Sequence, residues 1–277
     1  MSSRMRWGQS MRIDQDPAAG ILSRLRADPL RHIVTLKMLH MHGDTIRTIP
    51  LEDESGWALL SMFPVHVSEF DRQTYPGMQQ VILIDGTSER NKLKLLRGLP
   101  AQSVVVKTYD DAIKKYLVRQ LDAEPALSFL SFTGSPGGTS GTPMPGLIES
   151  TSLNDEAVRL FGYNGYEPAK LDRYFADGAR WFGVRAGGRI VSVCFVFRNF
   201  ETVWEIGGVF TELTHRRQGL ARGVVSAALN HLLTVGLTPR YQVRSDNVES
   251  IRLAETAGLK EFLRMSHYLV HREGPSR

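Results

Sequence analysis

At 277 residues, with 42% hydrophobic and 23% charged residues, the chain has the length for two domains of about 100–150 residues and the composition of an ordinary globular protein. No apolar run approaches the roughly 20 residues of a bilayer span, and a single cysteine excludes an internal disulfide or a multi-thiolate metal site. The net charge of +5 is spread in ones and twos among acids, which argues against a Lys/Arg block tracking a nucleic-acid backbone.

No apolar signal core follows the arginines of residues 1–11, so a cytoplasmic protein is expected, with no membrane and no nucleic-acid partner. The +5 charge points instead to a local phosphate site. Residues 1–18 are polar and aperiodic, a loose lead-in. An α/β domain is expected over 19–132. In it a helical spacing of Leu30, Ile33, Leu36 and Leu39 precedes a strand from Trp57 to Phe63, ended by Pro64. Gln80–Ile84 reads as a strand, Ser88–Arg97 as a helix, Ser103–Lys107 as a strand, Asp110–Leu121 as a helix and Leu127–Leu130 as a strand.

Residues 133–146 are rich in Gly, Pro, Ser and Thr and read as a linker. Their glycines lack the lysine of a nucleotide-binding loop. A second domain is expected over 147–277. Helices near Asn154–Phe161 and Pro168–Ala176 precede a hairpin, whose strands Trp181–Arg185 and Ile190–Phe200 meet at Gly187-Gly188, a pair suited to positive φ. The strand Thr202–Thr211 contains Gly207-Gly208, the mark of a bulge or a close backbone approach. An amphipathic helix, Leu220–Val235, follows, then a strand at Tyr241–Arg244, a helix at Val248–Ala257 with Asn247 as N-cap, and a bent strand or tight hairpin from Leu259 to His271.

Cys194 lies in an apolar strand and reads as core filling. His40 with His42, and His267 with His271, have ligand-like spacing but no third partner, so no metal is expected. The sharpest chemistry is in Arg216-Arg217-Gln218-Gly219-Leu220-Ala221, between a strand and a helix start. Unpaired N–H groups and the positive end of the helix dipole meet there, and the arginines add charge suited to a pyrophosphate.

This spacing resembles the GNAT signature Arg/Gln-x-x-Gly-x-Gly/Ala. Its context strengthens the likeness: Gly207-Gly208-Val209-Phe210-Thr211 upstream, and downstream Asn247-Val248-Glu249-Ser250 through Gly258-Leu259, with Leu259 where phenylalanine is commoner. The resemblance covers about 147–271 and extends to the two-domain glycine N-acyltransferase-like branch. It implies a fold of α/β (α+β) class, with a central mixed, mostly antiparallel sheet flanked by helices. A smaller α/β domain, or a degenerate copy of the same fold, would precede it.

The resemblance also implies acetyl-CoA, or another acyl-CoA, as co-substrate, gripped by Val209, Phe210, Thr211, Arg216, Arg217, Gln218, Gly219, Leu220, Ala221, Arg222, Asn247 and Ser250. Val209 and Thr211 would pair with the pantetheine arm through their backbone, and an N–H near Val209 would polarise the thioester. Asn247 has a sufficient reason to be present as a cap.

Acyl transfer to an amine needs a proton acceptor, because a lysine-type amine has a pKa near 10.4. Glu205, eleven residues before Arg216, is the candidate base; an exposed carboxylate or an arginine partner is the bland alternative. Tyr268 is the positional candidate for the proton donor to the CoA thiolate, against a core or surface role. The expected activity is direct transfer of an acetyl or other short acyl group to a primary amine of an amino acid or small molecule. The alternatives are a protein lysine or N-terminus as acceptor, and an acyl-CoA-binding module without turnover. Acceptor specificity is expected from the N-terminal domain and Tyr163–Tyr174; oligomeric state is left open.

Overall fold

The computed structural model describes residues 17–135 and 144–272. Most of the expected linker, 136–143, and most of the expected lead-in fall outside them. The chain forms two compact units of nearly equal length: one runs to Ala126 and resumes at Ser266, and the other spans Leu127–Met265.

The first unit contains α1 (Pro17–Ala27), α2 (Ile33–His42), β1 (Arg47–Asp53), β2 (Gly56–Pro64), α3 (Glu69–Thr74), β3 (Gln80–Gly86), α4 (Glu89–Leu96), β4 (Val104–Thr108) and α5 (Asp111–Leu121). β1, β2 and β3 pair antiparallel in that order, and β3 pairs parallel with β4. β3 and β4 are buried on both faces, which accounts for their unbroken Val/Ile/Leu runs. Ser68, Ser88 and Asp110 accept hydrogen bonds from the first turns of α3, α4 and α5 and so set where those helices start. No element is read from the sequence at α1, α3 or β1. α1 and α3 lie outside any periodic pattern, and β1 carries Pro50, which is tolerated because among the described residues β1 pairs on one side only, with β2.

The second unit contains β5 (Glu124–Thr133, which begins just before it), β6 (Leu147–Ser150), α6 (Asp155–Gly162), α7 (Pro168–Ala176), β7 (Arg180–Ala186), β8 (Arg189–Phe200), β9 (Val203–Thr211), α8 (Leu220–Thr234), β10 (Thr238–Arg244), α9 (Val248–Thr256) and the first half of β11 (Lys260–Val270). The sheet order is β5-β10-β9-β8-β7-β6, antiparallel except for β9 with β10. Gly187 and Gly188, at φ +56° and +80°, turn β7 into β8 with Ala186 opposite Arg189, as the hairpin expectation required.

The alternation of β8 divides its side chains between two cores. Cys194 and Val196 face Val224, Ala228 and Leu232 of α8, while Val193, Phe195 and Phe197 face Leu160, Phe161 and Leu171 of α6 and α7. The Cys194 thiol is fully buried, donates to the Val224 carbonyl at 3.3 Å and has its pKa pushed up by burial, so its place is the core.

β11 is one continuous strand rather than a hairpin, and its second half, Ser266–Val270, pairs antiparallel with β4 in the first unit. There the His267 Nδ1 lies 2.7 Å from the Tyr75 hydroxyl, near Phe70 and the buried Lys107–Asp71 ion pair. Burial, and then the Lys107 charge, lower the His267 pKa to about 2. The imidazole is therefore neutral in the fold but takes up a proton on unfolding below about pH 6.5. Stability is accordingly lost as pH falls through that value, by about 1.4 kcal/mol per pH unit. A melting temperature that falls between pH 7 and pH 5 is expected. The fall should be shallower in His267→Gln, as followed by circular dichroism.

Candidate functional site

The site lies where β9 parts from β10. Their parallel ladder joins Val203–Glu205 to Thr238–Arg240 and goes no further among the described residues. From Tyr241 on, β10 pairs with β5, so a gap opens beside Ile206–Thr211. A bulge sits at the same level. Opposite β8 the register steps from Val193↔Phe210 to Phe195↔Gly207, three residues of β9 against two of β8. Gly208 makes this feasible, because its φ is +63° and a Cβ there would lie 2.6 Å from the Phe195 ring and 3.1 Å from Phe161.

Two carbonyls of this strand already have side-chain donors. Asn164 Nδ2 donates to the Val209 oxygen at 2.9 Å, and Arg216 Nε to the Thr211 oxygen at 3.2 Å. The strand positions expected to pair with pantetheine thus carry side chains that an incoming arm would have to displace at those carbonyls. Thr211 Oγ1 is tied to Ser192 Oγ at 2.8 Å, a buried rung between strands. Phe210 stacks on the exposed Tyr163 with ring centroids 4.9 Å apart.

Below the strand, Arg216–Gly219 leads into α8. Arg217 (φ +60°) and Gly219 (φ +77°) both turn left-handed, and Gly219 caps the helix with no side chain closing it. The first unit offers an internal contrast. Its β3–α4–β4 run, like β9–α8–β10, is a strand, a helix and a parallel strand. In that run, however, Ser88 Oγ occupies the helix start by accepting from Asn91 N at 3.1 Å. Among the described residues no side chain caps the α8 terminus, whose N–H groups are available to an anion beside the exposed Arg216, Arg217 and Arg222. Gln218 faces back on the loop, its Nε2 3.4 Å from the Thr214 oxygen. Leu220 and Ala221 form the first helical turn, half-buried.

Asn247 Oδ1 accepts from Ser250 N at 3.0 Å, the capping role expected. Both start α9. Tyr268, the positional candidate for the proton donor, has the core surroundings that were its alternative. It lies on the half of β11 in the first unit, packed with Leu60, Ile82, Val106 and Leu117, where strand alternation turns it into that core.

Glu205 is buried, not an exposed strand carboxylate. Its Oε2 accepts from Arg240 at 2.6 Å and from Asn199 Nδ2 at 2.8 Å. Arg240 also donates to Ser131 at 3.1 Å, while its Nε and the Asn199 Oδ1 are buried without a partner among the described residues. Arg240 is opposite Glu205 in the last rung before the strands part, a tertiary pairing with no local sequence signal. Around them stand Tyr166, Tyr174 and Tyr241. Burial pushes the Tyr241 hydroxyl up to about 12, and burial, Tyr174 and Glu205 raise that of Tyr166. Tyr166 carries no local sequence signal, because its neighbours at the bulge, Phe195, Phe197 and Gly207, are distant along the chain.

Among known proteins, the family model described as GNAT acetyltransferase matches residues 169–265. No curated protein matches the sequence. The fold is similar to that of a GNAT-family acetyltransferase from Colwellia psychrerythraea, at 14% identity and TM-score 0.55 over 90% of this chain and 97% of that one. A GCN5-related N-acetyltransferase from Sphaerobacter thermophilus gives 12% and 0.53 over 81% and 83%. A tandem GNAT protein from the clavulanic acid biosynthesis pathway gives 12% and 0.54 over 96% and 98%.

Proposed function

We propose that this chain, whose residues 169–265 match the GNAT acetyltransferase family model, moves an acetyl or other short acyl group from acyl-CoA directly to the primary amine of an amino acid or small molecule. The enzyme is an acyltransferase, and the observation that carries the reading is the parting of β9 from β10 at a bulge, above a helix start that no side chain caps. An extended thioester fits the first, and its pyrophosphate the second. Arg216, Arg217, Gly219 and Arg222 would hold the phosphates, while Val209–Thr211 would lie along the arm. The first unit would be a degenerate copy of the fold; its strand–helix–parallel strand run and the breadth of the tandem GNAT match support this.

Glu205 is the candidate acceptor of the amine proton, with Arg240 and Asn199 fixing its Oε2. Glu205→Gln should retain CoA affinity, turn over more slowly near neutral pH and regain rate as pH rises, because deprotonation of the amine by solvent replaces the missing base. The same change leaves Arg240 buried without its counter-charge, so a large loss of stability, about 3–5 kcal/mol, is expected. An unaltered neutral-pH rate in a folded variant rules out the base role.

The activity itself is tested with acetyl-, propionyl-, butyryl- and benzoyl-CoA against mixed amines, with products identified by mass spectrometry. Transfer to small amines supports the proposal. Binding without transfer marks a module that holds acyl-CoA, and transfer only to peptides marks a protein acetyltransferase.

A further inference from the structure

Tyr166 reaches the bulge from the connection between α6 and α7. Its hydroxyl would lie 3.3 Å from a Cβ on Gly207, with the Phe197 ring 3.2 Å from the same point. The Tyr166 ring meets Phe195 edge-on at 5.1 Å, and Tyr174 lies over Phe195 and Phe197 at 5.7 and 4.4 Å. Phe195, itself packed against Tyr174 and Phe197, therefore orients the ring, and half-burial leaves the side chain within reach of a ligand. A neutral phenol has its own hydrogen to give, and here that hydrogen is held beside Gly207, where the strands part.

Resting on the acyl-transfer reading, we infer that Tyr166 is a catalytic oxyanion donor: its hydroxyl, held beside Gly207 by the packing of its ring on Phe195, hydrogen-bonds the thioester carbonyl oxygen and stabilises the charge that oxygen gains when the amine adds. As the C–N bond forms, the carbonyl π pair moves onto oxygen. As it returns, the C–S bond breaks and sulfur leaves with the bonding pair. Of the two protons the ammonium loses, one passes to solvent through Glu205 and the other reaches sulfur through water. Tyr166 keeps its proton throughout.

The surroundings suit donation without transfer. Burial, the neighbouring Tyr174 and the Glu205 carboxylate all raise the phenol's pKa, so the O–H persists across the working pH range. A group meant to protonate the departing sulfur would need the opposite shift.

Tyr166→Phe keeps the ring contacts and removes the donor. Its kcat should fall on the order of 10²-fold. The KM for acetyl-CoA should change less than threefold and the shape of the pH profile should not change, with melting temperature confirming the fold. A second readout needs no turnover: the infrared carbonyl band of bound [1-13C]acetyl-CoA should lie at lower wavenumber in the unmodified protein than in Tyr166→Phe. An unchanged kcat with an unmoved band overturns the inference while leaving acyl transfer intact, and so does a raised KM at unchanged kcat. A band shift in a protein that acylates no amine supports the Tyr166 contact and overturns the activity instead.

Discussion

Gly219→Asp should abolish CoA binding while leaving the protein folded. Among the described residues nothing lies within 4 Å of a Cβ at Gly219, so the new side chain meets no steric obstacle there. The left-handed φ of +77° is one that aspartate tolerates better than most residues. Aspartate is also a favoured N-cap, and here it would accept from the N–H groups at the start of α8. The groups meant for a pyrophosphate would then be satisfied by an internal anion, and the carboxylate would repel the phosphates. Two charge-assisted hydrogen bonds at about 1.5–3 kcal/mol each put the loss at roughly 10²–10⁴-fold in affinity. Calorimetric titration with CoA measures it, and unchanged affinity in a folded variant would sink the site assignment.

Gly208→Val is expected to fail in a different way. The side chain would be driven into the Phe195 and Phe161 rings at a positive φ that β-branched residues avoid. Overpacking of about 1–3 kcal/mol and a left-handed conformation of about 1–2 kcal/mol together predict a loss of roughly 2–5 kcal/mol. Denaturant titration reads the stability. Acyl transfer should vanish even where the variant remains folded, because relieving the clash requires the bulge to move. Wild-type stability in this variant would rule out a bulge closed by the Phe195 and Phe161 rings at Gly208.

The parts of the fold legible in the sequence are those with local causes. Gly187-Gly188 specifies a turn by itself, Asn247 and Ser88 announce helix starts, and the apolar period of α8 runs to Gly236. The glycines at 207 and 208 announced a bulge for the same reason, and the loop at 216–222 could be read as an anion site because a strand-to-helix turn was evident on either side. What escaped depends on register. Glu205 became a buried ion-paired residue only because the parallel ladder puts Arg240 opposite it. Tyr268 became a core residue because β11 passes from one unit to the other between Met265 and Ser266. Tyr166 gained its place from packing against Phe195 and Phe197, which no spacing in the sequence encodes.

Cys194, the chain's only cysteine, is sealed between β8 and α8 with its thiol held protonated. A thiol reagent needs an accessible thiolate. To such a reagent the folded protein is therefore silent, and every thiol that appears during a reaction is CoA released by transfer. The same silence lets a cysteine placed at exposed Tyr163 carry a fluorophore alone, beside the Phe210 ring it now covers.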